Sequence, residues 1–272
     1  MSIIVSVKIN DGIVMASDSA TTFAIGQIYE HANKIVNLVK GLSIGVMTCG
    51  AGGVGNASIA TLLKDLRQRL ADNDETHLDW KLDPKNYTME LVNSRVNQFF
   101  TEKVNEAEFK QFLLLRVCGY SSGHLLPEVW QVAFNEGTCT HHNCVQSEGD
   151  FGVLWSGEPE ALNRLILGVG TITEKGAEAI GTTVEKAVEL CGKLVPHTYE
   201  TLILTAAPIQ DAINLARFLV ETTAGFIQFS VTRQKTVGGP TEIAVITKHE
   251  GFKWVQRKHF FSSEFNPPGT IR

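Results

Sequence analysis

Ser2-Ile-Ile-Val-Ser-Val-Lys-Ile-Asn-Asp-Gly-Ile-Val-Met-Ala-Ser-Asp18 decides the fold of this chain. Two runs rich in β-branched residues, 3–9 and 13–17, flank Asp11-Gly12, the dipeptide preferred at a tight type I′ turn, so the stretch predicts a β-hairpin. With Asp11 and Gly12 at the turn centre, Asn10 would face Ile13, Val5 would face Asp18 and Ser2 would face Thr21. Asp18 then lies at the same end as the N-terminus.

A second hairpin follows by the same device. Lys34-Ile-Val-Asn-Leu38 runs into Lys40-Gly41 and returns as Leu42 to Cys49, which sets Lys34 opposite Met47 and at the same end as Gly50. If the two hairpins lie side by side with ends matched, one small space collects the N-terminal amine, the Ser2 hydroxyl, the Asp18 carboxylate, the Lys34 ammonium and the Gly50 N–H. These are the parts of an acyl-transfer site. Ser2 becomes the first residue once Met1 is removed, and a free α-amine titrating at about 7.7–8.0 can take the hydroxyl proton.

The order Ser-Ile-Ile-Val, Asp-Gly, Ala-Ser-Asp-Ser, Ala-Asn-Lys-Ile and Cys-Gly-Ala-Gly-Gly resembles the opening of proteasome-type β subunits, including the bacterial HslV peptidase and related homologues. The resemblance implies an N-terminal nucleophile hydrolase with an α+β fold, a four-layer αββα sandwich of two stacked antiparallel sheets flanked by helices. It implies a catalytic set of Ser2, Asp18 and Lys34, with Gly50 giving the oxyanion N–H and Ser156 supporting the nucleophile. Serine stands where the family usually has threonine. Thr21, Ala32, Val36 and Thr48 match positions around the substrate pocket; the small side chains of Ala32 and Thr48 leave room for an apolar group and supply no counter-ion for a basic one. The implied substrate is a peptide or unfolded protein and the implied assembly a homo-oligomeric ring, with room for an ATPase partner. No cofactor or metal is implied.

Composition agrees with one such domain. A length of 272 residues with 43% hydrophobic and 19% charged residues supports a sizeable core. No segment approaches the roughly 18 apolar residues of a membrane span, and no basic-then-apolar leader opens the chain. Five cysteines, an odd number, point to free thiols in a reducing, cytoplasmic setting. A net charge of −5 offers no basic footprint for nucleic acid.

Further along, Asn56 is a plausible N-cap for a helix with Ile59, Leu62, Leu63, Leu66 and Leu70 on one face. Asp72–Glu75 reads as a polar loop. A second helix from about Thr88 carries Met89, Val92, Val96, Phe99 and Phe100. Strands are predicted at 112–118, 129–134 and 151–155, the last ending at Ser156-Gly157, where a simple helix cap is the bland alternative for Ser156. A helix with Ala161, Leu162, Leu165 and Ile166 follows. Residues 170–207 read as a helical insertion containing a helix at about 183–195 with Val184, Ala187, Val188, Cys191 and Leu194 in a stripe. A helix after Pro208, strands at 241–247 and 252–256 and an irregular tail over about 258–272 complete a single domain. The Asp-x-x-Ser that the family places before its Gly-Gly pair is replaced here by Gln234-Lys-Thr-Val ahead of Gly238-Gly239, leaving open what holds the amine.

Three alternatives remain. Gly50-x-Gly52-x-x-Gly55 satisfies a dinucleotide fingerprint, although antiparallel hairpins precede it and no second parallel strand ending in an acidic residue follows. Cys139, His141, His142 and Cys144 could supply zinc ligands, although their spacing is unlike the usual knuckle and a plain surface loop is the simpler reading. The third is a catalytically inactive ring subunit, silenced if Met1 is retained.

Overall fold

The computed structural model describes residues 2–22, 27–71 and 76–258. Met1, the expected polar loop 72–75 and all but the first residue of the expected tail lie outside them. In chain order the strands are β1 Ile3–Ile9, β2 Gly12–Ser17, β3 Thr21–Thr22, β4 Ile28–Tyr29, β5 Ile35–Asn37, β6 Ile44–Gly50, β7 Gly53–Val54, β8 Ala57–Ser58, β9 Leu113–Gly119, β10 Glu128–Asn135, β11 Thr138–Gln146, β12 Gly152–Gly157, β13 Glu242–Thr247 and β14 Gly251–Gln256. The α-helices are α1 Ile59–Leu70, α2 Met89–Glu106, α3 Glu160–Leu162, α4 Glu174–Ala179, α5 Val184–Thr198 and α6 Ile209–Phe229, with a π-helical turn over Asn163–Leu167.

The chain is α+β, with two five-stranded antiparallel sheets ordered β12-β1-β2-β13-β14 and β11-β10-β9-β6-β5. Period-two alternation divides each strand between two cores. On β1, Ile3, Val5, Val7 and Ile9 pack with Leu162, Ala212, Ala216 and Leu219 of α3 and α6. Ile4 on the opposite face joins Ile13, Met15, Met47, Cys49, Leu114 and Cys118, a core shared by both sheets. The outer face of the second sheet packs Val46, Leu115 and Val117 against the predicted stripe of α1 and against Val92, Val96, Phe99 and Phe100 of α2.

The register of the first hairpin corrects the expected one. Ile9 faces Gly12, Val5 faces Ala16 and Ile4 faces Ser17, so the turn centres on Asn10-Asp11. Gly12 is a strand residue opposite Thr247, where a Cβ would come within 2.3 Å of the Ile246 carbonyl oxygen. Close approach of β13, rather than turn chemistry, selects the glycine. In the second hairpin Ile35 faces Met47 and the Thr48 N–H donates to the Lys34 carbonyl (2.9 Å), one residue away from the expected pairing. The hairpins do not lie side by side in one sheet; they belong to different sheets and meet face to face.

Other expectations are also amended. Ser58, not Asn56, caps α1 by accepting from the Thr61 N–H (3.2 Å). Residues 139–144 lie in β11, an edge strand, not a loop. Its sequence is polar because both faces are largely solvated, which removes the alternation that announces a strand. Ser156 and Gly157 are the last two residues of β12, which ends at this pair as expected, two residues beyond the expected strand 151–155. Of the stripe expected on α5, only Ala187 is buried, while Val188 and Leu194 remain exposed.

Candidate active site

The end of β2 and the start of β5 converge where the two sheets meet. There Lys34 Nζ lies 2.6 Å from Asp18 Oδ1, with both side chains almost wholly buried. The same oxygen accepts from the Ile3 N–H (3.0 Å), and Oδ2 accepts from the N–H groups of Ala20 and Gly238 (3.1 Å each). Asp18 thus fastens the N-terminal strand, the β2 terminus and the 238–239 loop at one point. A carboxylate holding three backbone donors and an ammonium is well compensated for its burial. Burial pushes the Lys34 ammonium below its ordinary value, and the pull of Asp18 only partly offsets this. Dehydration thus outweighs the pairing.

Ser2 is buried and lines a narrow cleft of about 20 Å³ with Thr21, Ala32, Lys34, Thr48 and Gly50. This opens past Thr21, Ala32, Asn33 and Gly52 into a 390 Å³ groove bordered by Tyr29, Glu30 and His31. Gly50 directs its N–H to the edge served by the Thr48 N–H, since residues two apart on a strand point alike and the intervening ladder bond runs from Ala51 to the Phe112 carbonyl (2.9 Å). Of the nine residues singled out, Ser2, Thr21, Ala32, Lys34, Thr48 and Gly50 share the cleft, and Asp18 is joined to it through Lys34. Val36 is not brought there. It packs in the α1 core and borders a separate concavity, two residues along β5 from Lys34.

Ser156 is held from behind. Its hydroxyl accepts from Arg116 Nη2 (2.6 Å), while Arg116 Nη1 donates to the Leu154 carbonyl (3.1 Å) and reaches Ser6 Oγ (3.4 Å). It is not a helix cap. Arg116 lies between the sheets, 2% exposed, and among the described residues no carboxylate pairs with it. One arginine inside Leu-Leu-Leu-Arg-Val-Cys gives no sequence signal of this role.

A second feature escaped sequence reasoning. The Glu158 N–H donates to the Ser2 carbonyl (2.7 Å), and its buried carboxylate pairs with Arg233 Nη1 (2.8 Å), while Arg233 Nη2 reaches Glu160 (3.3 Å). Gly157, at φ +109°, makes this approach feasible: a Cβ there would lie 1.8 Å from the Ser2 carbonyl oxygen. Where the aspartate and serine of the expected Asp-x-x-Ser are absent, Arg233 and the Gly238 N–H tie the segment to the N-terminal strand instead. The only available sequence hint was Ser-Gly followed by an acidic residue.

The alternatives lose support from the geometry. Part of the glycine run is itself in the β7–β8 hairpin, which comes between β6 and α1, so Gly50–Gly55 is not the strand–turn–helix of a dinucleotide site. Cys139, His141, His142 and Cys144 do not converge on one point; among the described residues the single group with metal-ligating spacing is His124, Glu128 and Glu148. No helix among them is long and apolar enough to cross a membrane.

Fold and site together define an α+β protein of antiparallel sheets and helices that gathers a serine near the N-terminus, a buried lysine–carboxylate pair and a strand-end glycine. Among solved structures the chain is similar to Anbu, the ancestral beta-subunit, from Yersinia bercovieri, at 15% identity and a TM-score of 0.54 over 94% of this chain and 88% of that one. It is similar to the Gly-1 mutant of Anbu from Hyphomicrobium sp. strain MC1 at 13% identity and a TM-score of 0.54, over 95% and 86% of the two chains. A second Anbu structure from that organism gives 14% identity and 0.52 over 94% and 86%. No protein-family profile and no curated protein matches the sequence. The likeness shows that the chain shares the fold of these Anbu structures. It also corrects the expected resemblance to HslV, from which Anbu is distinct.

Proposed function

We propose that this chain is an N-terminal nucleophile hydrolase that cleaves peptide bonds with the Ser2 hydroxyl once Met1 has been removed. The observation that carries this is the buried Lys34–Asp18 pair at 2.6 Å in the cleft that Ser2 and Gly50 also line. Three stacked cores support the finer architecture, a four-layer αββα sandwich, with residues 170–207 added to a single domain as an insertion bearing α4 and α5.

Ser2 attacks the carbonyl carbon and its proton passes to the α-amine or to Lys34, whose lowered proton affinity brings it nearer to a working base. Asp18 keeps Lys34 oriented. The Gly50 N–H receives the developing oxyanion, a donor type worth roughly 2.7–4 kcal/mol where measured. Arg116 fixes Ser156, and Glu158 fixes the Ser2 carbonyl, so the nucleophile is held from the other side. The leaving amine takes the proton back, and water then hydrolyses the acyl-serine.

The substrate is a peptide or unfolded protein laid along the groove beside Tyr29 and His31, with an apolar side chain entering near Thr21, Ala32 and Thr48. The working form is a homo-oligomeric ring in the cytoplasm, with room for an ATPase partner. Exposed apolar side chains on α5 and α6, among them Leu190, Leu194, Phe218 and Phe229, supply surface for such contacts. The test is hydrolysis of a fluorogenic peptide library by the wild type and by Ser2→Ala, with intact mass recorded for both. Cleavage after apolar residues that disappears in Ser2→Ala is expected. Equal turnover by the two proteins overturns the assignment.

A further inference from the structure

The groove at Ser2 is not the largest concavity of the molecule. Across β5 from it lies a cleft of 620 Å³, floored by Ile35 and Val36, walled by Trp254 and rimmed by Lys40, Lys64, Arg67 and Arg257. A recess of 420 Å³ continues it past Lys40 and Lys64. Among the described residues no carboxylate lines either space.

Among the described residues the four rim cations have no carboxylate partner. Lys40, Lys64 and Arg257 are exposed, and among the described residues none of them is in an ion pair; Arg257 instead lies over the Trp254 ring, 4.8 Å from its centroid. Arg67 donates to the carbonyls of Leu38 (3.1 Å) and Asn37, which fixes its position without neutralising its charge. Burial and the neighbouring Arg257 charge hold its proton affinity below the ordinary value. Lys258, by contrast, is spent on Glu242 at 2.8 Å and on Ser19 and the Ala32 carbonyl. A chain with net charge −5 thus concentrates uncompensated positive charge in one concave place. Such mutual repulsion is relieved by a compact multivalent anion.

We propose that this cleft binds a small molecule carrying two or more linked phosphates. Its volume falls in the range of small-molecule sites, about 300–1,000 Å³. Lysine and arginine at several points of an arc suit a phosphate chain better than a single carboxylate, because each oxygen group finds its own donor. Trp254 and the apolar floor of Ile35 and Val36 offer contact for a planar organic group if Arg257 turns from the indole to the phosphates, so the phosphates belong either to a nucleoside polyphosphate or to free polyphosphate. This site adjoins the Ser2 groove at Asn33 and Ala60 but contains none of the residues proposed for hydrolysis, so its binding can be measured without peptidase activity.

The experiment is calorimetric titration of the full-length protein with tripolyphosphate, ATP and adenosine, in 150 mM salt with a metal chelator, repeated on Lys64→Glu/Arg257→Glu. Both altered side chains are exposed, and thermal melting checks that the variant folds. Saturable binding of tripolyphosphate or ATP at about one per chain, weakened at least roughly tenfold in the variant, is expected. Tighter binding of ATP than of tripolyphosphate identifies a nucleotide seated on Trp254; equal binding identifies the polyphosphate chain alone. No saturable binding, several weak equivalents per chain, or equal affinity in the variant overturns the proposal.

Discussion

Lys34 and Asp18 form an ion pair at 2.6 Å with side-chain exposures of only 6% and 1%, and the carboxylate is also the acceptor for three backbone N–H groups from three separate segments. The pair therefore does two things at once, holding an amine in the cleft that Ser2 lines and locking the N-terminal strand. A lysine at a strand end would ordinarily be solvated and dispensable to stability; this one is neither. Lys34→Met leaves a buried carboxylate without its counter-charge, a loss of about 3–5 kcal/mol in other buried pairs. The remaining N–H donors should keep the loss near the lower figure, with hydrolysis abolished. Urea unfolding should show Lys34→Met/Asp18→Leu losing less than the sum of the two single variants. Additive losses would contradict the coupling.

Gly157→Ala should damage the site without touching any titratable group. A methyl group would collide with the Ser2 carbonyl oxygen, 1.8 Å away, at a backbone angle (φ +109°) that alanine rarely adopts. Positive-φ strain alone costs about 1–3 kcal/mol, and displacement of the N-terminal strand adds to it. A thermal melt lowered by several degrees, with loss of hydrolysis, is the expected outcome; an unchanged melt would be incompatible with this packing.

The chain should lose stability at alkaline pH through two buried thiols. Burial pushes Cys49 up to about 11 and Cys118 up to about 12 from the ordinary 9.0. Above pH 9 the unfolded chain releases these protons first, so stability is fully present below that value and falls as pH rises towards 11 and 12. The limiting slope is about 1.4 kcal/mol per pH unit for each thiol. Lys34 acts oppositely: its folded-state value lies below 10.5, so its contribution is lost as pH falls through that lowered value and is fully present above 10.5. Cys118→Ala should flatten the fall measured by urea unfolding between pH 9 and 11. A profile as steep as that of the wild type would refute the assignment.

Much of the site was legible because its residues lie at the ends of two short hairpins. The spacings from Ser2 to Asp18, Lys34 and Gly50 locate it even though the first register was two residues off. Gly12 misled because close approach to β13 and turn formation select the same residue. β11 was illegible as a strand since solvent on both faces erases alternation, and the α5 stripe was misjudged because apolar spacing does not say whether a partner element covers it. Arg116 and Glu158 could not be found at all. Their roles depend on contacts between segments 40 and 75 residues apart, Arg116 with Ser156 and Glu158 with Arg233.

Arg116 offers a test of the support behind Ser156. Arg116→Met keeps much of the volume but takes the arginine donor from the Ser156 hydroxyl, a loss of about 1–3 kcal/mol for a fully buried group and less for this half-buried one. Removal of the unpaired charge itself relieves some dehydration, so the net loss should be a few kcal/mol at most. Hydrolysis should fall more than stability, read as kcat lowered with KM little changed. A variant as active as the wild type would remove Ser156 from the supporting set.

The most direct measurement concerns Ser2 itself. The protein is treated with a β-lactone or epoxyketone probe, digested and mapped by mass spectrometry, with the intact mass recorded beforehand. The expected result is a chain lacking Met1 that carries a single adduct on Ser2, absent in Ser2→Ala and in Lys34→Met. Retained Met1 with no adduct, or labelling confined to a cysteine such as exposed Cys139 while Ser2 stays unmodified, would contradict the assignment of Ser2 as nucleophile.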